Sequence, residues 1–119
     1  MKYLFIQYPK CSTCRNAKKW LEQNGIEFDD RNIVEDTPTY EELTKWIKTS
    51  GIQIKKFFNT SGLVYKNMNL KEKLISMDEE SQIKLLSENG MLIKRPLLIG
   101  KEKVLIGFKE QEWEDFIKN

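Results

Sequence analysis

Histidine is absent from this 119-residue chain. That absence removes Cys-His nucleophilic pairs, histidine general bases and most zinc sites together. Cysteine is scarce: the only two thiols, Cys11 and Cys14, stand three positions apart. The loop they would close is too short to remove much unfolded-state entropy, so the pair is a poor staple for a fold. No apolar run approaches membrane-spanning length. The short run after Lys2 stops at Pro9-Lys10, so Met1–Tyr8 does not read as a secretory signal. An excess of one charge is missing too. The 20 basic and 18 acidic residues leave a formal charge of +2, with no broad basic field to hold nucleic acid. At 39% hydrophobic residues the chain can bury one modest core, and a single domain over residues 1–119 is expected. Two close thiols without a signal fit a reducing cytoplasm, where a dithiol can cycle. No bound metal or cofactor is expected.

The chain that remains is patterned. Tyr3–Tyr8 is rich in aromatic and β-branched residues and predicts a buried first strand, ended by Pro9-Lys10. A helix is expected from Ser12 to about Asn24, with Cys14, Ala17 and Leu21 on its apolar face and Gly25 at its C-terminal cap. Glu27–Asn32 is a second strand candidate. Thr39 and Glu42 form a capping box that opens a helix carrying Leu43, Trp46 and Ile47. Phe57 and Phe58 are core candidates, Asn59–Gly62 is a turn, and Leu70–Ile75 suits a short helix. Ser76 with Glu79 reads as another capping box, ahead of Ile83, Leu85 and Leu86. Leu97–Ile99 and Val104–Phe108 are short apolar runs joined by a hairpin at Gly100–Lys103, and Trp113, Phe116 and Ile117 mark a final amphipathic helix. The order β-α-β, a helical insert at about 37–92, then β-β-α predicts a thioredoxin-like α/β fold with a four-stranded mixed sheet.

The chemistry concentrates where the first strand meets the first helix. A C-x-x-C beside a βαβ unit is a redox motif. Cys11 is expected near the helix N-cap, with its sulfur facing the N–H groups of Thr13, Cys14 and Arg15. Unpaired N–H groups and the positive end of the helix dipole favour a thiolate there. Cys14, one turn in and on the apolar side, is expected to be buried and less ionised. The pair therefore suits an attacking thiolate and a resolving thiol. The competing reading makes Cys11 a surface thiol and Cys14 a small core residue. A zinc site would need two further ligands, and the chain has no other Cys or His. Arg95-Pro96 is the second feature. X-Pro bonds alone have an appreciable cis population, and this turn is expected beside Cys11. Arg95 would then hold an anion, a substrate carboxylate or the thiolate through its planar fork. A solvated arginine leading a strand is the alternative. Ser12, Thr13, Arg15 and Pro96 are expected to line the same mouth. Lys18-Lys19 and Lys55-Lys56 read as solvated faces.

Tyr8–Ala17, then Arg31-Asn32-Ile33, then Lys94–Leu98 resemble the arsenate reductase (ArsC) family, and more closely its Spx/MgsR-like branch of small C-x-x-C proteins. The resemblance spans essentially the whole chain. It implies a thioredoxin-like fold with a helical insert, a nucleophile at Cys11 and a cis-proline at Pro96. Glutaredoxin-linked arsenate reductases of this family place three arginines around the cysteine. Only Arg95 matches; Asn59 stands at the second position, and Ile106-Gly107-Phe108 at the third has no arginine. Those enzymes also typically carry Ser where Cys14 stands. These departures weaken arsenate reduction and favour dithiol–disulfide exchange. The Spx-type regulators use their C-x-x-C as a redox switch and bind the C-terminal domain of the α chain of RNA polymerase. Gly51 matches a glycine at that contact. They also carry a basic C-terminal extension, whereas this chain stops at Asn119.

The expected function is thus a monomeric thiol–disulfide oxidoreductase. Its partners would be thiol or disulfide substrates and a redoxin, with the glutathione/glutaredoxin or thioredoxin system donating electrons. The alternatives are a redox-responsive regulator binding the alpha subunit of RNA polymerase and a non-catalytic thioredoxin-like binding module with an unreactive Cys11.

Overall fold

The computed structural model describes residues 2–118. Four strands form a mixed sheet: β1 (Tyr3–Gln7), β2 (Phe28–Asn32), β3 (Leu97–Ile99) and β4 (Val104–Ile106). Their order is β2-β1-β3-β4. β1 and β2 run parallel, and the other pairings are antiparallel. The helices are α1 (Ser12–Gln23), α2 (Tyr40–Ser50), α3 (Leu63–Asn67), α4 (Leu70–Lys73), α5 (Glu79–Glu88) and α6 (Glu110–Lys118). This is the expected thioredoxin-like α/β architecture, with α2 to α5 lying between β2 and β3.

Strand periodicity divides the core. Successive side chains on a strand point to opposite faces, so Ile6 and Leu97 enter one cluster while Phe5 and Leu98 enter the other. The first cluster is filled by the helical insert, through Leu43, Phe57, Phe58, Leu86 and Ile93. The second is covered by α1 and α6, through Ala17, Leu21 and Trp113. Trp113 lies edge-on to Phe108 at 4.9 Å and to Phe5 at 6.2 Å. Its indole N–H donates to the Gly107 carbonyl at 2.9 Å, which satisfies the one polar atom this buried ring carries.

The Thr39–Glu42 capping box is formed in both directions, at 3.0 and 3.1 Å. Glu42 also accepts a two-pronged contact from Arg31, at 2.8 Å for each nitrogen, tying α2 to the end of β2. These donors hold the Glu42 carboxyl at about 2, against an ordinary 4.5. The expected Ser76–Glu79 box is not formed. Asp78 caps α5 instead, accepting from the Ser81 N–H at 2.7 Å, while the Ser76 hydroxyl donates to the Lys73 carbonyl. The carboxylate one position before the first helical residue wins because it is the charged acceptor at the positive helix end. The last strand is shorter than the apolar run Val104–Phe108. Gly107 adopts φ +74, which turns the chain out of β4 toward α6.

Candidate active site

The loop after β1 folds back so that the Cys11 N–H donates to the Tyr8 carbonyl at 3.0 Å. Cys11 is thereby set as the N-cap of α1, with extended backbone. The thiol is half-buried and makes no capping hydrogen bond, so nearby amides act on it as oriented dipoles. Burial pushes the Cys11 thiol up. The Cys14 amide and thiol, the Arg95 guanidinium and the Thr13 amide together outweigh burial and hold it below the ordinary thiol value. Cys14 is fully buried. Burial pushes its thiol up to about 12, against the opposing pull of the Tyr8 N–H, which donates to its sulfur at 3.5 Å. No disulfide joins the two cysteines. One thiol is thus half-exposed and held low, while the other is enclosed and pushed up.

Arg95 reaches the same place from the start of β3, which pairs with the end of β1. The Arg95–Pro96 peptide is cis, and Pro96 is buried, its carbonyl accepting from the Gly107 N–H at 2.8 Å. The Arg95 guanidinium lies 5.3 Å from the centroid of the Tyr8 ring. Its Nε and Nη1 are buried and find no acceptor among the described residues. This is not a solvated strand-leading arginine. It is a fixed cation with N–H donors left for something else to fill.

The cleft around these groups measures about 770 Å³. Cys11, Thr13 and Arg95 line it, together with Asn59 and the Ile106–Phe108 turn, which stand where the resemblance places the second and third arginines. Three of the four expected mouth residues do not line it: Pro96 is buried with its carbonyl taken by Gly107, and Ser12 and Arg15 face elsewhere. Ser12 is exposed and does not line the cleft. Arg15 donates to the Pro9 carbonyl at 3.1 Å and borders a separate depression with Lys18 and Lys19. Its amide is bonded to the Cys11 carbonyl at 3.0 Å, not directed at the sulfur. The helix turn that presents Thr13 to the cleft carries Arg15 round to the other side.

Sequence reasoning missed Tyr8, which touches both Cys14 and Arg95. It also missed Lys94, Lys109, Met91 and the exposed Leu63 on the cleft wall. Lys94 is placed by backbone pairing across the insert, its N–H donating to the Phe57 carbonyl at 2.7 Å. That contact joins segments far apart in sequence, and no local pattern announces it. Gly51, by contrast, has a local explanation. It caps α2 in the left-handed region at φ +67, which favours glycine whatever else it touches.

A thioredoxin-like fold with this dithiol, cis-proline and arginine defines a class of small redox-motif proteins. Residues 6–116 match the ArsC family, and the chain belongs to it. YusI of Bacillus subtilis, an uncharacterized protein, is 53% identical over 97% of this chain and 98% of its own length. The regulatory protein MgsR of the same organism is 34% identical, over 91% of this chain and 84% of its own. The crystal structure of an ArsC family related protein from Bacteroides fragilis superposes with a TM-score of 0.93 at 59% identity, covering 97% of each chain.

Proposed function

We propose that the protein is a thiol–disulfide oxidoreductase in which Cys11 attacks and Cys14 resolves. The observation that carries this reading is the opposite treatment of two thiols within one helical turn, one held below the ordinary value and one pushed up to about 12. The Cys11 thiolate attacks one sulfur of a substrate disulfide. A Cys11–substrate disulfide forms and the other substrate sulfur leaves as thiolate. Cys14 then loses its proton and attacks the Cys11 sulfur. The internal disulfide forms, the second substrate thiolate leaves, and two electrons have passed from the protein to the substrate. Two external thiols, from the glutathione/glutaredoxin or thioredoxin system, reset the pair: the first opens the internal disulfide to a mixed disulfide, and the second releases it, so that the two leave joined as a disulfide. Arg95 stabilises the thiolate and offers Nε–H and Nη1–H to an anionic group of the substrate.

The test is turnover of a neutral small disulfide with either reducing system, alongside a Cys14→Ser variant. The native protein should oxidise to a monomer with an internal disulfide, and the variant should stall as a mixed disulfide at Cys11. Disulfide-linked dimers as the main native product would remove Cys14 from the mechanism. The similarity to MgsR favours a second reading, in which the same dithiol is a switch in a regulator that contacts the α chain of RNA polymerase. Redox-dependent capture of that polymerase chain without disulfide turnover would select it.

A further inference from the structure

Among the described residues β4 is an edge strand, hydrogen-bonded only to β3. Its ladder fixes which backbone groups are free. Gly107 N–H donates to the Pro96 carbonyl and Gly100 N–H to the Lys103 carbonyl, in the same register that pairs Leu98 with Leu105. Alternate residues of an antiparallel pair exchange both bonds, so Leu105 turns its backbone toward β3. Val104 and Ile106 turn their N–H and C=O groups outward.

That open edge is the floor of a second groove, of about 620 Å³, walled by residues 52–60 of the insert and by α6. It joins the Cys11 cleft through three shared residues, Lys94, Ile106 and Lys109. Its walls are cationic. Lys55, Lys56, Lys94 and Lys109 line it against one carboxylate, Glu112, which lies 3.9 Å from Lys109. Among the described residues, Lys55, Lys56 and Lys94 have no ion-pair partner. The Lys94 stem is held over Gly107, where a Cβ would meet its Cε at 3.2 Å.

We propose that the β4 edge docks an extended acidic segment of a protein substrate, which pairs with Val104 and Ile106 and delivers its disulfide to Cys11. This deepens the thiol–disulfide reading and rests on it. A strand added to a free edge takes its affinity from main-chain bonds. The lysines select for Asp and Glu in the added segment. An extended chain rises about 3.3 Å per residue, so two residues carry it from Ile106 to Val104.

The probe is a pair of blocked octapeptides that alternate valine with glutamate or with lysine and lack cysteine. Binding to the full-length reduced protein is followed by amide chemical shifts. The acidic peptide should bind at least about tenfold more tightly, the sum of a few exposed ion pairs. It should shift Val104 and Ile106 and weaken steeply as salt rises. In the Lys55→Glu/Lys56→Glu variant the preference should fall or reverse, while reduction of a neutral small disulfide stays unchanged. Equal binding of the two peptides would overturn the proposal, and would leave the lysines as mere guards against edge-to-edge pairing. So would shifts that avoid β4. If the acidic peptide binds β4 but no disulfide is turned over, the docking surface stands and the oxidoreductase reading fails.

Discussion

Replacing Arg95 by methionine should uncouple stability from reactivity. Arg95 Nε and Nη1 are buried without an acceptor among the described residues. An unsatisfied buried donor costs about 1–3 kcal/mol, so two are a substantial burden on the folded state. The one visible compensation is the guanidinium over the Tyr8 ring at 5.3 Å, worth about 0.5–2 kcal/mol. Methionine fills much of the same volume and carries no N–H. Arg95→Met should therefore leave stability unchanged or raise it by about 1–3 kcal/mol, a trade-off expected where a residue serves a site and not the fold. Reactivity should move the other way. Arg95 pulls both thiols down, so the Cys11 pKa should rise in the variant. The more basic sulfur is also more nucleophilic. Each tenfold loss of thiolate at neutral pH is offset about threefold, and alkylation slows by the remaining factor of about three. Urea denaturation at constant m gives the first quantity, and ultraviolet thiolate absorbance against pH gives the second. A variant destabilised by more than about 1 kcal/mol with an unchanged Cys11 titration would refute the reasoning and make Arg95 a structural residue.

The Arg31–Glu42 pair should control acid stability. The folded carboxyl sits at about 2 and the ordinary value is 4.5, so its contribution is complete above the ordinary value and is lost as pH falls toward the folded one. With Glu42 about one-third exposed, native protein should lose about 1–2 kcal/mol between about pH 5 and about pH 2 through this pair, and Glu42→Gln should flatten that loss in chemical denaturation. Arsenate reduction should be poor. Asn59 and the Ile106–Phe108 turn occupy the cleft where two more arginines would stand. Loss of one positioned donor typically costs about 10²–10³ in rate, and the point charges of Lys94 and Lys109 do not reproduce a planar fork. A coupled NADPH assay with either redoxin system should stay below about 1 turnover per second, and faster turnover would restore the arsenate reductase reading.

The fold is legible in the sequence where local rules and global packing agree. The alternation of Phe5 with Ile6 and of Leu97 with Leu98 sends each side chain into one of the two cores, and the Thr39–Glu42 box opens α2 as its residues require. The asymmetry of Cys11 and Cys14 is equally local, because it follows from their positions at the N-cap and on the buried face of one helix. The remainder depends on contacts between distant segments. Lys94 and Lys109 reach the cleft because Phe58 bridges Ile93 and because α6 is pinned to Gly107 through Trp113. Arg15 lies away from the cleft because adjacency to Cys14 in sequence means rotation away from it on a helix. α5 begins two residues later than a cap at Ser76 would place it, because Asp78 takes the cap.

The pH dependence of alkylation at each thiol, resolved by mass spectrometry, tests the division of labour between Cys11 and Cys14 most directly. Cys11 should label first, with an apparent pKa below the ordinary value of about 8.5. Cys14 should stay unlabelled in the folded protein until pH approaches about 12. Equal labelling of the two thiols near neutral pH, or faster labelling of Cys14, would contradict the account.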